Sequence, residues 1–226
     1  MLTKVEDPVL GQTTQPAPPI IFSKSSAHIK GPAPTLGQHN NETFEKPIIS
    51  RMLKADLKHP LEGVKVVDLT GYIAGAYGTT LLADLGATVI KVESFAGDGF
   101  RQNSTAFQGW NQGKQGIVLN LKSKEGMNIF HQLVRQCDVV TENYRAGIAK
   151  KLQVDYQSLY SINPKIIYST VNGYGLTGPF SEYPTFDPLI QAQSGAMMDQ
   201  GENGTPVFLR IAASDYSSAI LSAYAI

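Results

Sequence analysis

The feature that most narrows the fold is a repeat of short apolar runs separated by helix-length segments, beginning near residue 60. Val64 to Leu69, Thr88 to Val92, Ile117 to Leu119, Asp138 to Thr141 and Lys165 to Val171 carry the β-branched and aliphatic residues of buried strands. Between the first two, Ala74 to Leu85 has small and apolar residues at helical spacing, and Gly86 follows as a C-terminal cap. Lys124 to Gln136 reads as a second long helix, short helices lie between the last two strands, and a last helix starts near Asp215 and runs to Ile226. Strands joined through helices lie parallel with right-handed crossovers. The pattern therefore predicts the α/β class, as a Rossmann-like open, mostly parallel sheet.

Upstream the composition changes. Pro16, Pro18, Pro19, Pro32, Pro34 and Pro47 are scattered among Thr, Ser, Gln and Asn, with neither helical nor alternating periodicity. Residues 1–58 are read as a Pro-rich extended tail or linker, with Ile20–Phe22 as a short edge strand and Ile48–Leu57 as one weak helix. Residues 59–226 form the domain. Its end is expected to be incomplete, because Ser217–Ile226 is mostly apolar, carries no charge and has no cap for its last carbonyls.

Composition removes several functional classes. Lys+Arg and Asp+Glu are both 19, so no basic surplus exists to neutralise nucleic-acid phosphates. The single cysteine, Cys137, excludes an internal disulfide framework, and its place between a helix and a strand marks a small buried hydrophobe. His28, His39, His59 and His131 lack metal-ligand spacing, so no metal is expected. Nothing approaches the ~20 apolar residues that span a bilayer. Met1–Pro8 lacks the apolar core of a signal peptide. A cytoplasmic protein without membrane or nucleic-acid partners is expected.

Gly173–Gly178 fits the dinucleotide pattern G-x-G-x-x-G after a strand, but Pro179, Pro184 and Pro188 prevent a helix from opening there. It is read as a glycine-rich loop. The turn Thr70–Gly75 has only two glycines, yet it sits at a strand's carboxyl end, where ligands enter such sheets. Neither a Gly-x-Ser-x-Gly elbow nor a Gly-Lys-Ser/Thr phosphate loop is present. Asp215, after Ala212-Ala213-Ser214, opens the last helix. It reads as an N-cap, or as a carboxylate nucleophile held ionised by the same N–H donors and the helix dipole. Arg145, Lys150 and Lys151 follow Glu142-Asn143-Tyr144, as a solvated helix face or as a grip on an adenine and its phosphates.

Together the blocks Pro60–Thr70, Leu82–Glu93, Asn111–Lys114 with Leu119–Lys122, Asp138–Arg145, Gly173–Pro179 and Phe186–Gly195 resemble the family III CoA-transferases. That group includes formyl-CoA transferase, carnitine CoA-transferase and α-methylacyl-CoA racemase. The resemblance implies the N-terminal half of a large CoA-binding domain, with Asp215 matching the nucleophilic aspartate. It also implies CoA contacts at Tyr72, Leu119, Lys122, Asn143, Tyr144 and Lys151. Two subunits interlocked like chain links are implied as well. Three departures stand out: Lys151 where the family often has Arg, Ile73 where formyl-CoA transferase has Gln, and Phe186 where racemases have a catalytic His. Pro19–Ser23 and Gly31–His39 resemble the family's extreme C-terminal tail, which implies a tandem protein whose copies pair as a pseudo-dimer; the other reading is an ordinary Pro-rich extension. The expected activity moves CoA between an acyl-CoA and a small carboxylic acid through an aspartyl-CoA intermediate. An acyl-CoA lyase or racemase, and a non-catalytic half that completes another copy, are the alternatives. The piece alone is expected to be inactive.

Overall fold

The computed structural model describes residues 2–7, 9–16, 29, 58–102 and 104–226. The chain divides into two units, Met1–Asp56 and Leu57–Ile226. In the first, β1 (Leu2–Asp7) pairs antiparallel with β2 (Gly11–Pro16), Leu2 opposite Pro16 and Asp7 opposite Gly11. The turn is closed by Asp7, whose Oδ1 accepts hydrogen bonds from the N–H groups of Val9 and Leu10 at 2.8 and 2.9 Å. The sequence reading expected no strand here. The signal was faint because these strands are largely polar and owe their form to the turn and to Thr and Val content. The edge strand expected at Ile20–Phe22 and the helix expected at Ile48–Leu57 lie outside the described residues.

The second unit runs β3 (Lys65–Asp68), α1 (Ala74–Asp84), β4 (Thr88–Glu93), α2 (Ser104–Asn111), β5 (Gln115–Val118), α3 (Lys124–Gln136), β6 (Val139–Glu142), α4 (Ile148–Lys151), α5 (Tyr156–Tyr160), β7 (Ile167–Thr170), α6 (Asp187–Gln193), α7 (Ala196–Gln200) and α8 (Ala213–Ala225). The five strands are parallel in the order β5-β4-β3-β6-β7, with Val66 opposite both Val89 and Val139. The chain walks outward from β3 through β4 to β5 and then crosses to β6 on the other side. The strand order reverses between β3 and β6, and there the sheet opens a crevice.

Alternation along each strand fills two cores. Val67, Val92, Phe130, Val134, Val140, Val154 and Leu159 pack on one face, and Val66, Leu82, Val89 and Val139 on the other. The α1 terminus follows the expected glycine cap: Gly86 has φ +100°, its N–H donates to Ala83 O at 2.9 Å, and Ala87 N–H donates to Leu82 O at 3.0 Å. Ser123 caps α3 by accepting from Gly126 N–H at 3.0 Å. Helix α1 lies against α8 so closely that a Cβ on Gly78 would stand 2.9 Å from the backbone oxygen of Ala219.

Two sequence expectations change. The third strand ends at Val118, so Leu119 follows it into the core instead of closing it. The last helix begins at Ala213, making Asp215 its third residue and not its N-cap. Helices α2, α6 and α7 were not anticipated.

Candidate active site

A cleft of about 850 Å³ lies at the carboxyl ends of the strands, walled by the loops that follow β3, β4, β6 and β7 and by the start of α8. Its crevice is closed by Asn143. That side chain accepts from Gly71 N–H at 2.9 Å and donates to Gly71 O at 2.8 Å, so both ends of the amide staple the β3 loop to the β6 loop. Tyr72 follows in a left-handed conformation, φ 59°, which a tyrosine adopts only at a cost. Its ring is held edge-on between Phe100 and Phe186, at centroid distances of 5.6 and 6.1 Å, and remains 50% exposed to the cleft. Tyr144 lines the wall beside it, its phenol pushed up to about 12 by burial and by the charges of Glu142 and Asp68.

Beneath the cleft lies a layer of buried ion pairs. Lys91, 2% exposed, donates to Thr70 O at 2.8 Å and pairs with Asp98 at 3.1 Å. Lys114 pairs with Asp68 at 3.0 Å and also donates to Ala76 O, Trp110 O and Asn111 Oδ1. Burial pushes the Asp68 carboxyl up, but Lys114, Lys91 and the hydroxyls of Thr70 and Thr79 together hold it below the ordinary value. Glu93 accepts from Asp98 N–H and from the Arg101 guanidinium, which lies 4.2 Å over the Phe107 ring. These pairs fix the loop after β4, and with it Phe100.

Asp215 faces the cleft from α8. It makes no capping hydrogen bond at that helix start. Its place among the donors is taken by Asp187, whose Oδ1 accepts from Ser214 N–H at 2.9 Å and from the Ser214 hydroxyl. The sequence expectation that helix N–H groups hold Asp215 in its ionised form is therefore not met. Burial, then the charge of Asp187, pushes it up to about 6. Behind it Tyr216 stacks edge-on with Tyr77 at 5.3 Å and accepts from Trp110 Nε1 at 3.0 Å.

Of the residues singled out by sequence, the cleft brings together Tyr72, Ile73, Asn143, Tyr144, Arg145, Phe186 and Asp215. It does not bring in Leu119, which is core, or Lys122 and Lys151, which are exposed outside the lining. Sequence reading missed Asp187, Ser214, Lys91 and Asp98. Lys91 carried a signal, a lysine at an inward position of a mostly apolar strand. Asp187 carried a fainter one, an Asp-Pro pair at a helix start. Cys137 is buried as expected, its thiol pushed up to about 12 by burial and the Asp138 charge. No group of metal-ligating side chains occurs among the described residues, and no described helix is long and apolar enough to cross a membrane.

The profile of CoA-transferase family III matches residues 61–226. The chain belongs to that family. An acetyl-CoA:oxalate CoA-transferase of Acetobacter aceti is 43% identical over 64% of this chain and 39% of its own length. The human succinyl-CoA:glutarate CoA-transferase is 40% identical over 71% of this chain and 39% of its own. A solved CAIB/BAIF family protein from Brucella suis superposes with a TM-score of 0.71 at 37% identity, over 74% of this chain and 48% of that one. The family III fold thus accounts for the parallel sheet and its helices. The chain spans less than half the length of these relatives.

Proposed function

We propose that the chain supplies the CoA-binding and nucleophilic part of an enzyme that moves CoA between an acyl-CoA and a carboxylic acid. The observation that carries this reading is Asp215: a carboxylate with a raised pKa of about 6, opening on the cleft above the strand ends. At neutral pH it is mostly ionised, and its raised basicity makes it a better nucleophile than a solvated carboxylate. Its oxygen attacks the thioester carbonyl, the C–S bond breaks, and a mixed anhydride and CoA thiolate result. The thiolate then attacks the aspartyl carbonyl of the anhydride, releasing the donor acid and leaving an aspartyl-CoA thioester. The acceptor carboxylate repeats the two steps in reverse order and restores Asp215. No step consumes a proton overall.

CoA lies along the cleft in this reading, with Tyr72 and Tyr144 against it and the Asn143 staple holding its floor. Lys122 and Lys151, exposed beyond the rim, meet phosphates that extend past the cleft, and Leu119 supports the wall from the core. Residues 1–58 as a linker, 59–226 as the CoA-binding domain, pairing with a second copy, and a cytoplasmic setting belong to the same proposal.

Incubation of the full-length enzyme with acyl-CoA followed by hydroxylamine converts an aspartyl thioester or anhydride to a hydroxamate. Peptide mass should place it on Asp215 and lose it in Asp215→Asn, with turnover falling by orders of magnitude. Turnover without an adduct, and an active Asn variant, would refute the mechanism.

A further inference from the structure

We propose that Asp187 is the positioning residue of this site: it seats the first turn of α8 through Ser214 and sets the charge against which Asp215 works. The inference rests on the reading of Asp215 as the nucleophile. Asp187 is 4% exposed and lies on α6, outside the helix that carries Asp215. Its Oδ1 accepts both donors of Ser214, the residue before Asp215, and its Oδ2 accepts from Gln191 Nε2. Gln191 in turn grips the segment leading into α8, donating to Leu209 O and accepting from Leu209 N–H, each at 3.0 Å. One carboxylate thereby ties the start of α8 to α6 on two sides. Three donors suit a carboxylate, which is an acceptor only.

The second half of the argument is charge. Among the described residues the ion pairs are Lys91–Asp98, Arg101–Glu93 and Lys114–Asp68, so neither Asp187 nor Asp215 has a cation within pairing distance. The elements packed on α8 offer little else. Helix α1 carries Tyr77 and Asp84, and α6 carries Asp187. Around the cleft stand Glu93 and Asp98, both already paired, with Arg145, Tyr72, Tyr144 and Tyr183. Asp187 is the neighbour whose charge bears on Asp215, adding to the effect of burial. Residue 212, at the N-cap position of α8, is alanine and offers no side-chain acceptor, so Asp187 supplies one from α6.

The test uses the full-length enzyme with Asp187→Asn, which keeps an oxygen for Ser214 and drops the charge. Two readouts are taken against pH: kcat/KM for acyl-CoA, and carbodiimide labelling of the Asp215 carboxyl without substrate, scored by peptide mass. Both Asp215 midpoints should fall by about half a pH unit or more. Plateau kcat should drop several-fold while KM for acyl-CoA holds. Unmoved midpoints in a folded Asp187→Asn variant overturn the proposal. Should that variant not fold, Ser214→Ala decides: it keeps the charge and removes one seat, so the midpoints should stay raised while kcat falls, and an unchanged kcat overturns the seating. Labelling needs no turnover, so a failed transferase reading and a failed role for Asp187 give different results.

Discussion

Asp215→Asn should make the protein more stable at neutral pH while destroying its proposed activity. Burial and the Asp187 charge lift the Asp215 carboxyl from 3.8 to about 6. Its folded value therefore lies above its unfolded one, and between the two the folded state holds a proton that the unfolded chain has released. That contribution to stability is fully present below the unfolded value and is lost as pH rises through about 6. Above it, the ionised carboxylate is a net cost of folding. A gap of about two units at ~1.4 kcal/mol each sets an upper bound near 3 kcal/mol. The cleft is open to water, and screening brings the figure to about 1–2 kcal/mol. The amide removes the charge at constant size, so Asp215→Asn should gain about that much at pH 7.5, with most of the gain gone at about pH 4. Urea unfolding at the two pH values, followed through the single tryptophan, Trp110, which bonds to Tyr216, measures it directly. An Asp215→Asn variant unchanged at both pH values, with Asp215→Ala losing about 1 kcal/mol at each, would restore Asp215 as a helix cap and refute the argument.

Lys114→Met should cost about 3–5 kcal/mol, because Asp68 is left buried without its cation, and adding Asp68→Asn should recover part of that loss in a double-mutant cycle. Two glycines give a matched pair by thermal melting. Gly78→Ala meets the Ala219 backbone and should lose about 1–3 kcal/mol, whereas Gly109→Ala on α2, with nothing within 4 Å of the new Cβ, should gain about 0.5–1 kcal/mol. Lys151→Ala should raise KM for acyl-CoA about tenfold or more if that ammonium meets a CoA phosphate, with Lys150→Ala nearly silent. The Cys137 thiol should resist Ellman reagent at pH 8 until the protein is denatured, and rapid native labelling would contradict its burial.

The sheet was legible because Val66, Val89, Val139 and their neighbours are buried whatever the loops do, and period and length alone mark such residues as strand. The short helices α2, α6 and α7 were not, since none has an apolar face long enough to declare a period. The polar hairpin β1–β2 escaped for a similar reason. At the site, local sequence showed where a carboxylate stood but not what stood opposite. Asp187 and Ser214 are 27 residues apart and meet only through the tertiary fold. The cap reading of Asp215 failed because a helix start can be satisfied by a remote side chain as well as by its own residue. Asn143 was found at the crevice, but its use as a staple to Gly71, 72 residues away, could not be read from one strand end.

The crossing of α1 and α8 is main chain against main chain, with no side chain from Gly78 between them. The reach of Asp215 over the strand ends is consequently a dimension of the backbone. Drift among the surrounding side chains, such as Ala223 or Ala83 in the adjoining core, can change how firmly the helices hold together without changing where the carboxylate stands. Stability and the placement of Asp215 are separately adjustable in this layer. Only at the glycine do they become one variable, because a single methyl group there forces the two axes apart and carries Asp215 with them.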